Sequence, residues 1–195
     1  LEENQQQHQA PQPRQQQCRA GAPQQDAAQV RMPREVDAVQ NAAFASVLLW
    51  RFCAEYATVR QAPSTTPFPL LFVVLPLLFD EDTATMVAST KKASGLRLFA
   101  GKFAESKHAK TDVLLSLDSR AKALRQQTLD AVTLALKTRL LFLDPSSGEV
   151  VALSHAPALS LPESVRPLIR SAEKLGAWSA GLSLFEVSTT LQVAF

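Results

Sequence analysis

The stretch LALKTRLLFLDPSSGEVVAL, residues 134–153, constrains the fold of this chain more than any other. The end of a helix runs into RLLFLD, then the connection Asp144-Pro145-Ser146-Ser147-Gly148, then EVVAL. Two short apolar runs separated by Pro and Gly at turn positions predict a β-hairpin. Upstream, Thr111 is placed to cap one helix, with Asp112 favourably set in its first turn. RQQ (Arg125–Gln127) reads as a turn, and Thr128 is placed to cap a second helix reaching about Lys137. Helix, short turn, helix, hairpin is the order of a winged helix, a module that often grips DNA. The fold class this predicts is α+β, mainly α: a compact helical domain with a winged-helix-like unit over about 111–154.

The rest of the chain divides sharply. Residues 1–35 hold eleven Gln and few large apolar side chains. Such a segment cannot bury enough apolar surface to offset the entropy of ordering, which predicts a disordered tail. Residues 36–195 are then a single, mostly helical domain of a size that supports one core. NAAFASVLLWRFCAEYATV (Asn41–Val59) is predicted helical, with Asn41 as its cap and Phe44, Val47, Leu48 and Phe52 on one apolar face. PFPLLFVVLPLLF (Pro67–Phe79) is predicted to be a buried core helix, kinked where Pro76 removes a donor. DEDTATMVAST begins another short helix, and ASGLRLFAGKFAES sets Leu96, Phe99 and Phe103 at helical spacing. Val113, Leu114, Leu117, Ala121 and Leu124 form the stripe of the helix after Thr111. C-terminal helices are expected over about 160–193. SLPE (Ser160–Glu163) and SLFE (Ser183–Glu186) read as capping boxes, and Leu182 and Val187 sit where a hydrophobic staple forms.

Charge is uneven. Residues 91–139 carry eleven Lys/Arg against four Asp/Glu, between mildly acidic flanks. That block is either an electrostatic face for a polyanion or acidic partner, or an ordinary solvated helix face. Phosphate contact through Lys91, Lys92, Arg97, Lys102, Lys107 and Lys110 would be sequence-blind and salt-sensitive. Two cysteines, Cys18 and Cys53, give neither a disulfide framework nor a zinc spacing, and suit a reducing cytoplasm. The longest apolar run is too short to cross a membrane, and the polar N-terminus does not read as a signal peptide.

The second helix of the unit decides between DNA and protein. In TLDAVTLALKT, Leu129, Val132 and Leu136 are expected to face the core. Ala131, Leu134 and Ala135 are expected to form a second apolar surface. A helix apolar nearly all round is buried rather than laid in a groove, so the unit reads as protein-facing. Ala131, Leu134 and Ala135 are therefore protein-interface candidates. Trp50, partly off its helix face, is read first as a core side chain at the helix edge and second as a contact. It joins the candidates, as does Trp178.

No constellation for catalysis stands out. His8, His108 and His155 lack a second ligand at metal spacing. The six glycines are scattered, PSSGE is not a nucleophile elbow, and Asp80–Asp82 reads as a solvated helix start before a cation site. The chain is read as non-enzymatic, with no cofactor.

NAAFASVLLWRF, LPLLF, SGLRLFAGKF, LLSLDSRAKALRQQTLDAVTLALKTRLLFLD and SAEKLGAWSAGLSLFEVSTTLQVAF occur together, in order, over about residues 38–195. In this the chain resembles the middle component of bacterial three-component ABC systems, the class that includes Lamassu-type defence operons. AEKLGAWSAGLS is the most distinctive piece, and the Gln-rich extension departs from the family. The resemblance implies a non-enzymatic adapter between an SMC/Rad50-like ABC ATPase and an effector such as a nuclease. It assigns no catalytic residues. A winged-helix transcription regulator is the alternative.

Overall fold

The structure, a computed structural model, describes residues 41–61, 65–104, 111–156 and 161–195. Among these are eight helices and a small three-stranded antiparallel sheet, so the chain is α+β and mainly α. The predicted tail lies outside the described residues, as do Lys107, Lys110 and Ser160.

Helix α1 (Ala42–Arg60) is the central rod. Asn41 caps it as expected, its Oδ1 accepting from the amides of Ala43 at 3.0 Å and Phe44 at 3.1 Å. Leu48, Leu49, Phe52, Cys53 and Tyr56 are fully enclosed, and Trp50 and Arg51 are buried beside them. A helix surrounded by packed elements needs no single apolar face. Phe44 and Val47, expected on that face, are only half-buried.

The apolar run opens differently from expectation. Thr66–Pro67 form a short strand β1, Phe68–Leu70 a 3-10 turn, and only Leu71–Leu78 the helix α2. Pro67 and Pro69 lack amide donors, which favours an extended start over a helix. Pro76 does lie inside α2, and its carbonyl accepts from Arg120 Nη1 at 3.4 Å. Helix α3 (Glu81–Ser89) starts on Asp80, whose Oδ1 accepts from the Thr83 amide at 2.9 Å. Helix α4 (Gly95–Ala104) buries Leu96 and Phe99.

Helices α5 (Thr111–Ala123) and α6 (Arg125–Lys137) correct the predicted turn. Leu124 alone separates them, with φ −89° and ψ 5°. Thr128 is not a cap. It lies within α6, its amide and hydroxyl both donating to the Leu124 carbonyl. The backbone bonds run on through Leu124, so Arg125–Gln127 are helical.

The hairpin is as expected: β2 (Leu141–Asp144) pairs with β3 (Glu149–Ala152), Phe142 opposite Val151. β1 adds to the other edge of β3, giving the order β1-β3-β2. Helix α7 (Arg166–Ala180) begins after a 3-10 turn at Glu163–Val165, with Pro167 in its first turn. Ile169, Ala172, Leu175 and Gly176 are buried along it, and its main packing partner is α1. Helix α8 (Leu184–Leu191) carries the predicted capping box of Ser183 and Glu186. No helix among the described residues is long and apolar enough to cross a membrane.

Candidate protein-interaction surface

Helix α6 does not present the expected second apolar surface. Ala131 and Ala135 are fully buried, with Thr128 and Val132, against this chain's own core. Leu129, Leu134 and Leu136 are half-buried. The small side chains let α6 approach α1 closely, and Leu136 packs at the margin of the core. Outward, the stripe is polar: Gln126, Asp130, Thr133 and Lys137 are exposed, and Gln126 donates to Asp130 at 3.0 Å.

The tryptophans are core side chains with satisfied N–H groups. Trp50 Nε1 donates to the Ser154 carbonyl at 2.7 Å. Trp178 Nε1 donates to the Lys92 carbonyl at 2.7 Å, with its ring tilted against Phe99. Each ties a connecting segment to the helix layer, and neither offers a free face.

The apolar surface that is exposed lies elsewhere. Along the hairpin, Leu141, Val150 and Ala152 point to the core, so Phe142, Val151 and Leu153 share the outer face, while the half-buried Leu140 at its edge packs against the core. Phe142 and Leu153 are each 53% exposed. Alternation within RLLFLD carried this signal. Leu98 on α4 is 55% exposed and Phe185 on α8 75%. Phe185 is off the Val187/Leu191 stripe, which a helical wheel of α8 would have revealed.

At its head the hairpin joins α6 through Thr138 and Arg139. The Leu140 amide donates to the Ala135 carbonyl at 2.9 Å and the Arg139 amide to Leu136 at 3.2 Å, closing the helix with Arg139 at φ 57°. At its tip Asp144 organises the turn. The Ser146 hydroxyl and amide and the Ser147 hydroxyl all donate to its carboxylate, which holds the Asp144 carboxyl below its ordinary value.

The basic candidates scatter. Lys92 pairs with Glu55, and Arg97 with Glu186 at 2.5 Å. Lys102 donates to Thr90 Oγ1 at 2.9 Å. Lys91 is exposed. Two of the four described candidates are thus matched by carboxylates, which lowers the local field they make together. Lys174, not singled out in the sequence, donates to the carbonyls of Val87, Ala88 and Thr90, closing the C-terminal end of α3.

Among the described residues no group of three or more His, Cys, Asp or Glu is placed to hold a metal. Asp80 serves structure: besides capping α3 it pairs with Arg120 at 2.7 Å. Partial burial pulls its carboxyl upward, but the Thr83 amide and Arg120 guanidinium outweigh this and hold it below 3.8. Burial pushes the Cys53 thiol up to about 12, against a smaller opposing hydrogen bond with Thr66, so it stays an unreactive core thiol.

A sequence-family model, that of the ABC-three component (ABC-3C) system Middle Component 3, matches residues 30–195. No curated protein and no solved structure matches.

Proposed function

The chain belongs to the Middle Component 3 family of ABC-3C systems, and on that premise we propose that it is a non-enzymatic adapter. It holds an SMC/Rad50-like ABC ATPase and an effector, such as a nuclease, in one complex that defends a bacterial cytoplasm against foreign DNA. The ATPase senses DNA, and this subunit transmits or restrains the effector. The observation that carries this reading is the set of large apolar side chains left in water, Phe142, Leu153, Leu98 and Phe185. Clusters of such residues mark interaction sites, whereas single ones are ordinary. Phe142 and Leu153 share one face, which favours the former. Co-expression with the products of neighbouring ATPase and effector genes tests it. Co-purification of the chain with both is expected. An isolated, monodisperse chain beside both expressed partners would refute it.

A second reading, a winged-helix DNA-binding regulator, draws on the polar outward stripe of α6 and on the sheet order β1-β3-β2. Gln126 and Lys137 are residue types that read base edges and phosphates. Asp130 stands in the middle of that stripe and would repel the backbone, and Gln126 is engaged by it. Protection of a defined operator at physiological salt would favour this reading over the adapter.

A further inference from the structure

The outer face of the hairpin carries a charge pattern as well as an apolar one. Leu140 and Leu153 are joined by a 3.0 Å backbone bond, and Phe142 stands opposite Val151. Phe142, Val151 and Leu153 form the apolar array of this face, and Leu140 at its edge packs against the core. Beyond the Leu140–Leu153 end stand Lys137 and Arg139, both exposed and neither in an ion pair among the described residues. At the other end the face carries Asp144, opposite the half-buried Glu149, whose Oε2 is turned out of solvent.

We propose that this face docks an amphipathic segment of another subunit of the complex, whose apolar side chains cover Phe142 and Leu153 and whose carboxylates meet Lys137 and Arg139. The proposal rests on the adapter reading and says where one partner binds. Cations at the rim of an apolar patch steer and orient an acidic partner, and gain strength as the partner excludes water. A nucleic acid fits less well, because its phosphates would have to run from the cations across to Asp144. A second copy of the chain fits less well too. Two four-residue strands offer on the order of a few hundred Å², against roughly 1,200–2,000 Å² in a stable interface. A segment of a subunit held at other points of an assembly has no such minimum.

The test measures the affinity of the full chain for the separately purified ABC ATPase and effector subunits of its own system. Phe142→Ser, Lys137→Glu and Arg139→Gly are each expected to weaken binding of one of them at least tenfold, and wild-type affinity to fall as salt rises. Arg139→Gly suits the left-handed backbone there, and its Tm, measured alongside, separates lost binding from unfolding. Binding within twofold of wild type in all three variants overturns the proposal. If a subunit binds and only the Leu98→Ser/Phe185→Ser pair weakens it, the adapter reading stands and this one falls. If neither subunit binds, both fall. Variants that impair duplex binding instead, or a self-association that Phe142→Ser abolishes, give the face to nucleic acid or to a second copy and likewise overturn it.

Discussion

Gly176 of α7 lies against the backbone of Phe52 in α1 so closely that a Cβ there would stand 2.3 Å from the Phe52 carbonyl oxygen and 3.1 Å from the Tyr56 amide nitrogen. The obstacle is main chain, which cannot rotate aside. In an open helix Gly→Ala gains roughly 1 kcal/mol of propensity. Here the two helices must separate, and overpacking of this kind costs about 1–3 kcal/mol or more. Gly176→Ala is therefore expected to lower the urea midpoint rather than raise it. A raised midpoint would show that the α1–α7 crossing is looser than this.

Arg139 sits at φ 57° where α6 ends, a conformation that disfavours any residue with a Cβ. Arg139→Gly is expected to stabilise the chain by about 1 kcal/mol, read as a rise in Tm. Lys or Ala at the same place gains nothing, because the Cβ remains. A fall in Tm on Arg139→Gly would mean that the guanidinium itself holds the helix end.

Arg51 is 9% exposed and donates to Glu173 at 2.6 Å and to the Ala156 carbonyl at 2.8 Å. It thereby fastens the segment after the hairpin to α1 and α7. Glu173→Ala leaves a buried cation without its counter-ion and is expected to cost about 3 kcal/mol. Arg51→Met with Glu173→Leu removes both charges and is expected to recover much of that loss. A double variant as unstable as the single one would place the main contribution in the Ala156 contact.

What could be read in the sequence was local chemistry. Asn41 before α1, Ser183 and Glu186 around the start of α8, and the Pro-Ser-Ser-Gly connection each specify their own backbone within four residues. Relationships between distant segments were hidden. The strand at Thr66–Pro67 exists because Val150 and Glu149 lie beside it, and two residues carry no periodicity. A wheel of α6 drawn by hydrophobicity alone conceals the part that side-chain size plays. Ala131 and Ala135 look secondary beside Leu129 and Leu136, yet small residues mark where helices come closest. The exposed surface carries a local signal: alternation within RLLFLD sets Phe142 on the face opposite Leu141 and Leu143, and Phe185 lies off the Val187/Leu191 stripe.

Asp80 gives acid sensitivity a definite direction. Its folded carboxyl is held below the ordinary 3.8, through the Thr83 amide and Arg120. The stability this adds is complete above that value and is lost as pH falls through the lower folded value. Asp80→Asn is expected to be less stable than wild type near neutral pH, with the gap narrowing below about pH 4. Urea midpoints of both proteins across that range check it. A gap that stays constant to the lowest pH would mean that the cap geometry, and not the charge, carries the contribution.

Lys91 separates a phosphate-binding corner from a solvated one. Its neighbour Lys92 is unsuitable for the purpose, because reversing it would set a second carboxylate beside Glu55. Lys91 is exposed, so Lys91→Glu is expected to leave stability within about 0.5 kcal/mol of wild type. If the assembled complex touches duplex DNA here, the variant lowers affinity for every sequence alike. It also reduces the slope of log K against log salt by about one, the share of a single released counterion. An unchanged slope removes this corner from any DNA path. The positive charge of this corner is then a solvated face whose Lys92 and Arg97 serve Glu55 and Glu186 within the fold.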